Sequence, residues 1–337
     1  MPHCYIRSSI EMHKVWISKI DSDLDREIES ALEWLDWRSV IASNARVSIK
    51  PNLTYPIHKP GVTTSPPVLE GLLRALSSRT QRINVVESDG GSYSWPAEEA
   101  FRGHGIPEMC RRYGARAVNL TNHSRENMET EIAGRAISVE LPHLLTRETD
   151  VFVTMPVPKL HMMTGVSLAF KNQWGCLPDV KRLRNHADFA HKVLAINKIL
   201  KPRLAIFDGT WFLDRSGPLE GDPIRKNLLI ASRDSGSGSL VCCELMGISP
   251  RSAPHLRLAI AEGMMPTALD SLITNDALDA FKGSPFKLQR SWLQWLSLGI
   301  FHSRLATIAL YDSPLAGPAH ELLYLLRGRP ADFSPKW

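Results

Sequence analysis

The 337-residue chain is predicted to fold as an α/β protein: a mainly parallel sheet flanked by helices, in two lobes with a cleft, plus a helical C-terminal extension. Three observations carry that prediction. Short apolar runs of strand length alternate with segments of helical spacing. Several of those runs empty into polar or glycine-rich loops, where ligands sit in open parallel sheets. Beyond about residue 270 the strand pattern stops and a tryptophan-rich apolar segment takes over. The expected division is 1–270 for the α/β region and 271–337 for the extension, for a chain longer than a single core usually grows.

The elements follow in order. Leu24, Ile28, Leu32 and Leu35 mark a helix over 22–38. A strand at 46–50 turns at Pro51-Asn52. Val68, Leu69, Leu72, Leu73 and Leu76 then give a helix at 67–76, with Ser65 as candidate N-cap and proline at its start. The strand 83–87 runs into Ser88-Asp89-Gly90-Gly91, and short helices at 97–102 and 107–113 lead to a strand at 117–120. Next come a strand at 151–155, a helix at 187–200, a strand at 204–207 ending at Asp208-Gly209, and a strand at 228–231 ending at Ser232-Arg233-Asp234. Helices resume at 240–245 and 254–263. The segment 287–310, with Trp292, Trp295, Phe301 and Leu305, is expected to pack on the core as one or two helices, with a homodimer contact or a membrane-surface role as the alternatives.

Composition narrows the function. With 43% apolar and 22% charged residues, the chain has the make-up of a folded globular protein. A net charge of +5 with scattered Lys and Arg lacks the clustered basic face of a nucleic-acid binder, and suits a small anionic partner. The five cysteines form no C-x-x-C pair, so zinc and iron–sulfur spacings are absent and a reducing compartment is expected. The start of the chain lacks a signal-peptide pattern, and no apolar run is long enough to span a bilayer. A cytoplasmic protein with no membrane partner is expected.

The polar residues concentrate after the strand at 151–155. Lys159, His161, Lys171, Asn172 and His186 fall within one short stretch, with no turn to explain them. A buried lysine has a depressed pKa and can serve as a base, and histidine titrates near neutrality. His161, Lys171, Lys159 and His186 are therefore the candidate catalytic residues. Other strand ends offer Lys50 and Asn52, Glu87 and Asp89, and Asp208, while Thr63 and Thr64 precede a helix whose N-terminus favours anions. Together with Asn172 these are the candidate substrate-binding residues. Each also has a plainer reading, as turn, cap or solvated side chain. No residue is assigned to a metal.

These blocks together resemble the DUF362 family, a family known by a domain of unknown function. The matching elements are Ile49-Lys50-Pro51-Asn52-Leu53, Gly61-Val62-Thr63-Thr64-Ser65-Pro66, Val86-Glu87-Ser88-Asp89-Gly90, Lys159-Leu160-His161, 165–169, Lys171-Asn172 with Gly175, and Asp208-Gly209 with Gly217-Pro218. Many members carry a ferredoxin-type cysteine cluster, which this chain lacks. After Ser232-Arg233-Asp234, a usual acidic position is replaced by Ser235-Gly236-Ser237-Gly238-Ser239.

His161, Lys171 and Asn185-His186 also resemble, more weakly, the nickel-pincer lactate racemases. That resemblance implies Lys171 facing a cofactor or substrate, His161 as an acid/base, and His186 as a metal or substrate ligand. The glycine-rich element before the pincer lysine is missing, since 166–170 reads Val-Ser-Leu-Ala-Phe.

The expected function is an enzyme acting on a small anionic or carbonyl-bearing metabolite by Lys/His acid–base chemistry, as an isomerase, epimerase or biosynthetic tailoring enzyme without a nucleotide cofactor. A metal- or nickel-pincer-dependent enzyme and a non-catalytic ligand- or partner-binding protein are the alternatives.

Overall fold

The computed structural model describes residues 13–20, 23–91, 94–311, 313, 314 and 318. Cys4 and most of the expected extension beyond 311 lie outside the described residues. The strands are β1 (His13–Lys19), β2 (Val47–Pro51), β3 (Ile83–Glu87), β4 (Arg116–Asn119), β5 (Arg125–Ile132) and β6 (Arg135–Pro142). They continue with β7 (Val151–Met155), β8 (Lys159–His161), β9 (Gly165–Ser167), β10 (Leu204–Asp214), β11 (Asp222–Ser232) and β12 (Leu272–Thr274).

The main sheet runs in the order β12-β1-β11-β10-β7-β2-β3-β4, with β8 pairing to β10 and β9 to β8. From β10 to β4 every ladder on that path is parallel. On the other side β11 lies antiparallel to both β10 and β1. The fold is therefore mixed α/β with a mostly parallel central sheet.

Side-chain alternation along the strands builds two apolar layers, because successive residues point to opposite faces. Val151, Val153, Leu204, Ile206, Leu229 and Ala231 join Val47, Ile49, Val85 and the helix Pro66–Ser77 on one face. Phe152, Ala205, Phe207, Leu228, Ile230 and Val86 join the helices Phe189–Leu200 and Ser235–Met246 on the other. Strands buried on both faces read as continuous apolar runs, which is why β7 stands out in the sequence, while β2 and β3 carry Ser48, Lys50 and Asn84 among their apolar residues.

Besides β1, β8 and β9, where no strand is expected, and the run of β10 past Asp208, the structure departs from expectation in four further places. Strands do not stop at about residue 270: β12 pairs with β1 at the sheet edge, and three residues are too few to show a period. β5 and β6 form a separate hairpin whose turn residues Ala133 and Gly134 both have positive φ, as a two-residue turn requires. Its strands are charged and half-exposed, so they carry no apolar run. The run 235–239 is helical, within Ser235–Met246, and is capped by the Asp234 carboxylate accepting from the Ser237 N–H at 2.7 Å. Small residues let that helix lie close: a Cβ on Gly238 would stand 2.2 Å from the Phe207 ring.

Fourth, the C-terminal helices Trp292–His302 and Arg304–Tyr311 rest on the short helical segment Arg182–Asp188. They do not bury their tryptophans in the core, since Trp292 and Trp295 are exposed. Phe301 makes the inward contact instead, with its ring 5.7 Å from that of His186.

Candidate functional site

The carboxyl ends of β2, β3 and β7 lie side by side, with Lys50 opposite Thr154 and Ile49 opposite Val85 in register. Lys50, buried at the end of β2, donates from Nζ to Glu87 Oε2 at 2.6 Å and to the Pro51 carbonyl at 2.6 Å. Glu87 at the end of β3 also accepts from the backbone N–H groups of Leu53 and Ser88. Ion pair and hydrogen bonds together answer a charge that burial alone would penalise. Gly175 is held to glycine by this pair: a Cβ there would lie 2.7 Å from Glu87 Oε1 and 3.0 Å from Lys50 Nζ.

A buried polar chain fixes the neighbouring elements. Asn172 Nδ2 donates to the Lys50 carbonyl at 2.8 Å and to Thr154 Oγ1 at 2.9 Å. Thr154 donates in turn to Gln173 Oε1, and Gln173 Nε2 donates to Asn197 Oδ1 at 2.7 Å. The chain joins β2, β7, the turn Ala169–Asn172 and the helix Phe189–Leu200.

Beyond β7 the backbone forms the β8–β9 hairpin, which brings Lys159 and His161 into the interior. Lys159 Nζ donates to the Val62 carbonyl. Burial first, then the charges of Lys171 and Lys50, hold its amine well below the usual lysine range. His161 Nδ1 accepts from the Met163 N–H at 3.1 Å, which assigns the neutral ring its proton on Nε2. Burial, followed by Lys171, His186, Lys159 and His255, keeps this imidazole neutral well below its usual pKa. Lys171 is half-buried, with Nζ 5.8 Å from the centre of the Phe189 ring. Burial, and then the Arg182 guanidinium, bring its amine from 10.5 to about 7.

His186 shares an aromatic group with Trp174, Phe189 and Phe301. Its Nδ1 donates to the Leu183 carbonyl at 3.1 Å, so its Nε2 carries the lone pair when neutral, the reverse of His161. The side chain of Asn185 lies outside the described residues.

Other residues singled out in the sequence have their groups engaged within the scaffold. Thr64 Oγ1 accepts from the Asn52 N–H and donates to the Met155 carbonyl. Thr63 Oγ1 accepts from the Lys59 N–H, and Asn52 Oδ1 from the Thr54 N–H. Asp89 Oδ1 accepts from the Ala97 N–H, at the start of the helix Ala97–Gly103, and from Asn119 Nδ2.

Asp208 lies within β10 and not at its end. Its Oδ2 accepts from the Ser65 N–H at 2.5 Å. The anion favoured at the start of the helix Pro66–Ser77 is thus the protein's own carboxylate, while the Ser65 hydroxyl makes no cap bond.

Sequence reasoning missed three participants. Arg182, which in the sequence is one of many scattered basic residues, is buried and donates from Nη2 to the Asp89 carbonyl at 2.7 Å. Gln173 completes the polar chain. His255, at the start of the helix Pro254–Ala261, is fully buried with neither ring nitrogen partnered, and burial and then Lys171 lower its pKa to about 3. A solitary histidine after proline carries no local signal of this. Lys50, Lys159, Lys171, His161, His186 and His255 thus form one electrostatically coupled group. Among the described residues, Glu87 pairs with Lys50, while neither Lys159 nor Lys171 has an ion-pair partner.

This geometry lies within the segment matched by a family model. The model described as "Domain of unknown function (DUF362)" matches residues 47–244, and the chain belongs to that family. It is similar to a thylakoid-associated protein of Synechocystis sp., with 27% identity over 130 residues. That match covers 36% of this chain and 40% of the relative, so the chain spans less than half of that protein's length.

Among solved structures, it is similar to the lactate racemase apoprotein of Thermoanaerobacterium thermosaccharolyticum, at 15% identity and a TM-score of 0.46, over 70% of this chain and 56% of that one. A protein of Thermotoga maritima is similar at 14% identity and a TM-score of 0.39, over 72% of this chain and 60% of its own.

Proposed function

We propose that the protein is an enzyme acting on a small anionic or carbonyl-bearing metabolite, with Lys171 and His161 exchanging protons with it. The observation that supports this reading is the Lys171 amine. It is partly open to solvent, has no carboxylate paired to it among the described residues, and titrates at about 7. Near neutral pH a large share of it is free base, as a general base needs. His161, neutral with its proton on Nε2, is a donor on the same group of residues.

Lys171 would take a proton from the carbon beside the substrate's carbonyl or acid group, and His161 would deliver its Nε2 proton to the resulting enolate. The Lys171 ammonium would restore the proton to His161, so that both residues end as they began and isomerisation or epimerisation needs no outside oxidant. The substrate's negative charge would meet Lys159 and Lys171, whose protonated forms burial disfavours until an anion arrives. Lys50, held by Glu87, would shape the floor of the site.

A metal-dependent reading draws less from these residues. Among the described residues, no three His, Cys, Asp or Glu side chains are grouped to hold one ion. His161 Nδ1 is already taken by a backbone donor, and apolar Val166, Leu168 and Phe170 stand buried where a glycine-rich element would be needed. The residues do not fit the pincer group, and no step is assigned to it.

Incubating the protein with a panel of 2-hydroxy, 2-oxo and 2-amino acids in D2O, with NMR detection, tests the proposal. Deuterium should enter the carbon next to the carboxylate of at least one compound, and Lys171→Met, folded by circular dichroism, should abolish it. Saturable binding without exchange would point to a ligand-binding protein. Exchange unaffected by Lys171→Met would remove Lys171 from the chemistry.

A further inference from the structure

Six large apolar side chains are exposed among the described residues, and four belong to the C-terminal helix pair: Trp292 at 73%, Trp295 at 57%, Leu305 at 82% and Ile308 at 46%. Isolated exposed hydrophobics are ordinary, but a group of them with two tryptophans marks an interaction surface. The opposite side of the pair is occupied. Phe301 packs on His186, and Ser291 and Gln294 close a capping box at the helix start. Positions 292 and 301 are about two and a half turns apart, so Trp292 faces away from the side that touches the site.

Charge identifies the occupant. Residues 283–311 contain Lys287, Arg290 and Arg304 and no aspartate or glutamate. The Arg290 guanidinium lies 4.9 Å from the Trp295 ring centre, and its Nε donates to the Met162 carbonyl at 2.6 Å, beside His161. Tryptophan and aliphatic side chains bordered by cations suit the headgroup layer of an anionic membrane.

We propose that the helices Trp292–His302 and Arg304–Tyr311 form a docking surface for an anionic lipid bilayer, lying in its headgroup layer without crossing it. No helix of the described residues is long and apolar enough to cross. The sequence expectation of no membrane partner rested on the same lack of a spanning run, which does not bear on a helix lying flat. A second copy of the chain is a poorer occupant. A two-fold contact sets a patch against itself, opposing Lys287 and Arg290 to their own copies with no carboxylate from residues 283–311 to answer them. Anionic headgroups supply that charge.

Co-sedimentation of the full chain with vesicles tests this. The protein should pellet with vesicles of phosphatidylglycerol and phosphatidylcholine far more than with phosphatidylcholine alone, and less as salt is raised. The double variant Trp292→Ser/Trp295→Ser, with unchanged circular dichroism and thermal unfolding, should lose about tenfold or more of the bound fraction, as removal of two inserted rings implies. Leu305→Ser/Ile308→Ser repeats the test from the second helix, should the first variant misfold. Failure of the wild type to bind anionic vesicles, or equal binding by folded variants, overturns the proposal. So does a lipid-free dimer in sedimentation equilibrium that the same substitutions abolish, because a second copy then covers the face.

Discussion

Lys50 Nζ and Glu87 Oε2 lie 2.6 Å apart inside the protein, at the ends of adjacent parallel strands. Removing one member of such a pair leaves an uncompensated buried charge, whereas replacing both with apolar groups does not. Glu87→Leu should destabilise the fold by about 3 kcal/mol or more. Lys50→Met/Glu87→Leu should recover much of that loss. Urea unfolding of the three proteins checks both statements; equal losses in the single and double variants would contradict them.

The amine of Lys171 makes stability depend on pH. Its pKa is about 7 in the folded protein against an ordinary 10.5. Between those values the unfolded chain carries a proton that the folded one lacks, so this group makes stability rise with pH across that window. Its burial penalty is full below about 7 and fades toward 10.5. Lys171→Met should therefore raise the unfolding temperature most at about pH 6 to 7, with the gain shrinking in alkaline buffer. A gain that is constant with pH would show that the amine titrates normally.

Anion binding should draw in protons. An anion beside Lys159 and Lys171 favours their charged forms, opposing the burial that lowers both. Calorimetry with inorganic phosphate as probe, run above neutral pH in buffers of different ionisation enthalpy, should report net proton uptake. Affinity should weaken as pH rises above about 7. Lys171→Met should reduce the uptake, and binding with no proton change would contradict the linkage.

Gly175 tests the packing around the ion pair. A methyl group there meets Glu87 Oε1 at 2.7 Å and must displace it or Lys50. Gly175→Ala should cost about 1–3 kcal/mol in urea unfolding, as overpacking of an interior does. It should also weaken phosphate binding, because the pair it disturbs borders the coupled amines.

What the sequence makes legible follows from where each signal resides. β7 shows as an apolar run because it is buried on both faces, β2 and β3 show as short β-branched segments ending in Lys50 and Glu87, and the polar groups after β7 show by contrast with it. β8, β9 and β12 are three residues each, below the length at which a period can register. The side-chain types of Thr64, Asp89 and Asp208 are visible, but their partners are not. Asp208 caps a helix through the N–H of Ser65, 143 residues earlier. His255 joins the group through tertiary packing of a helix with no sequence neighbour in the site.

The bond from Asn172 to the Lys50 carbonyl has a consequence for variation within the family. Lys171 is the residue next to Asn172, so its tether to the sheet is a single peptide unit long. The spacing between the two lysines is gauged by that amide and not by the loops that join β3 to β7. Insertions or deletions in those loops can accumulate and leave the spacing unchanged, while a change at Asn172 alters it directly. Relatives that differ widely between β3 and β7 can therefore keep one common arrangement of amines.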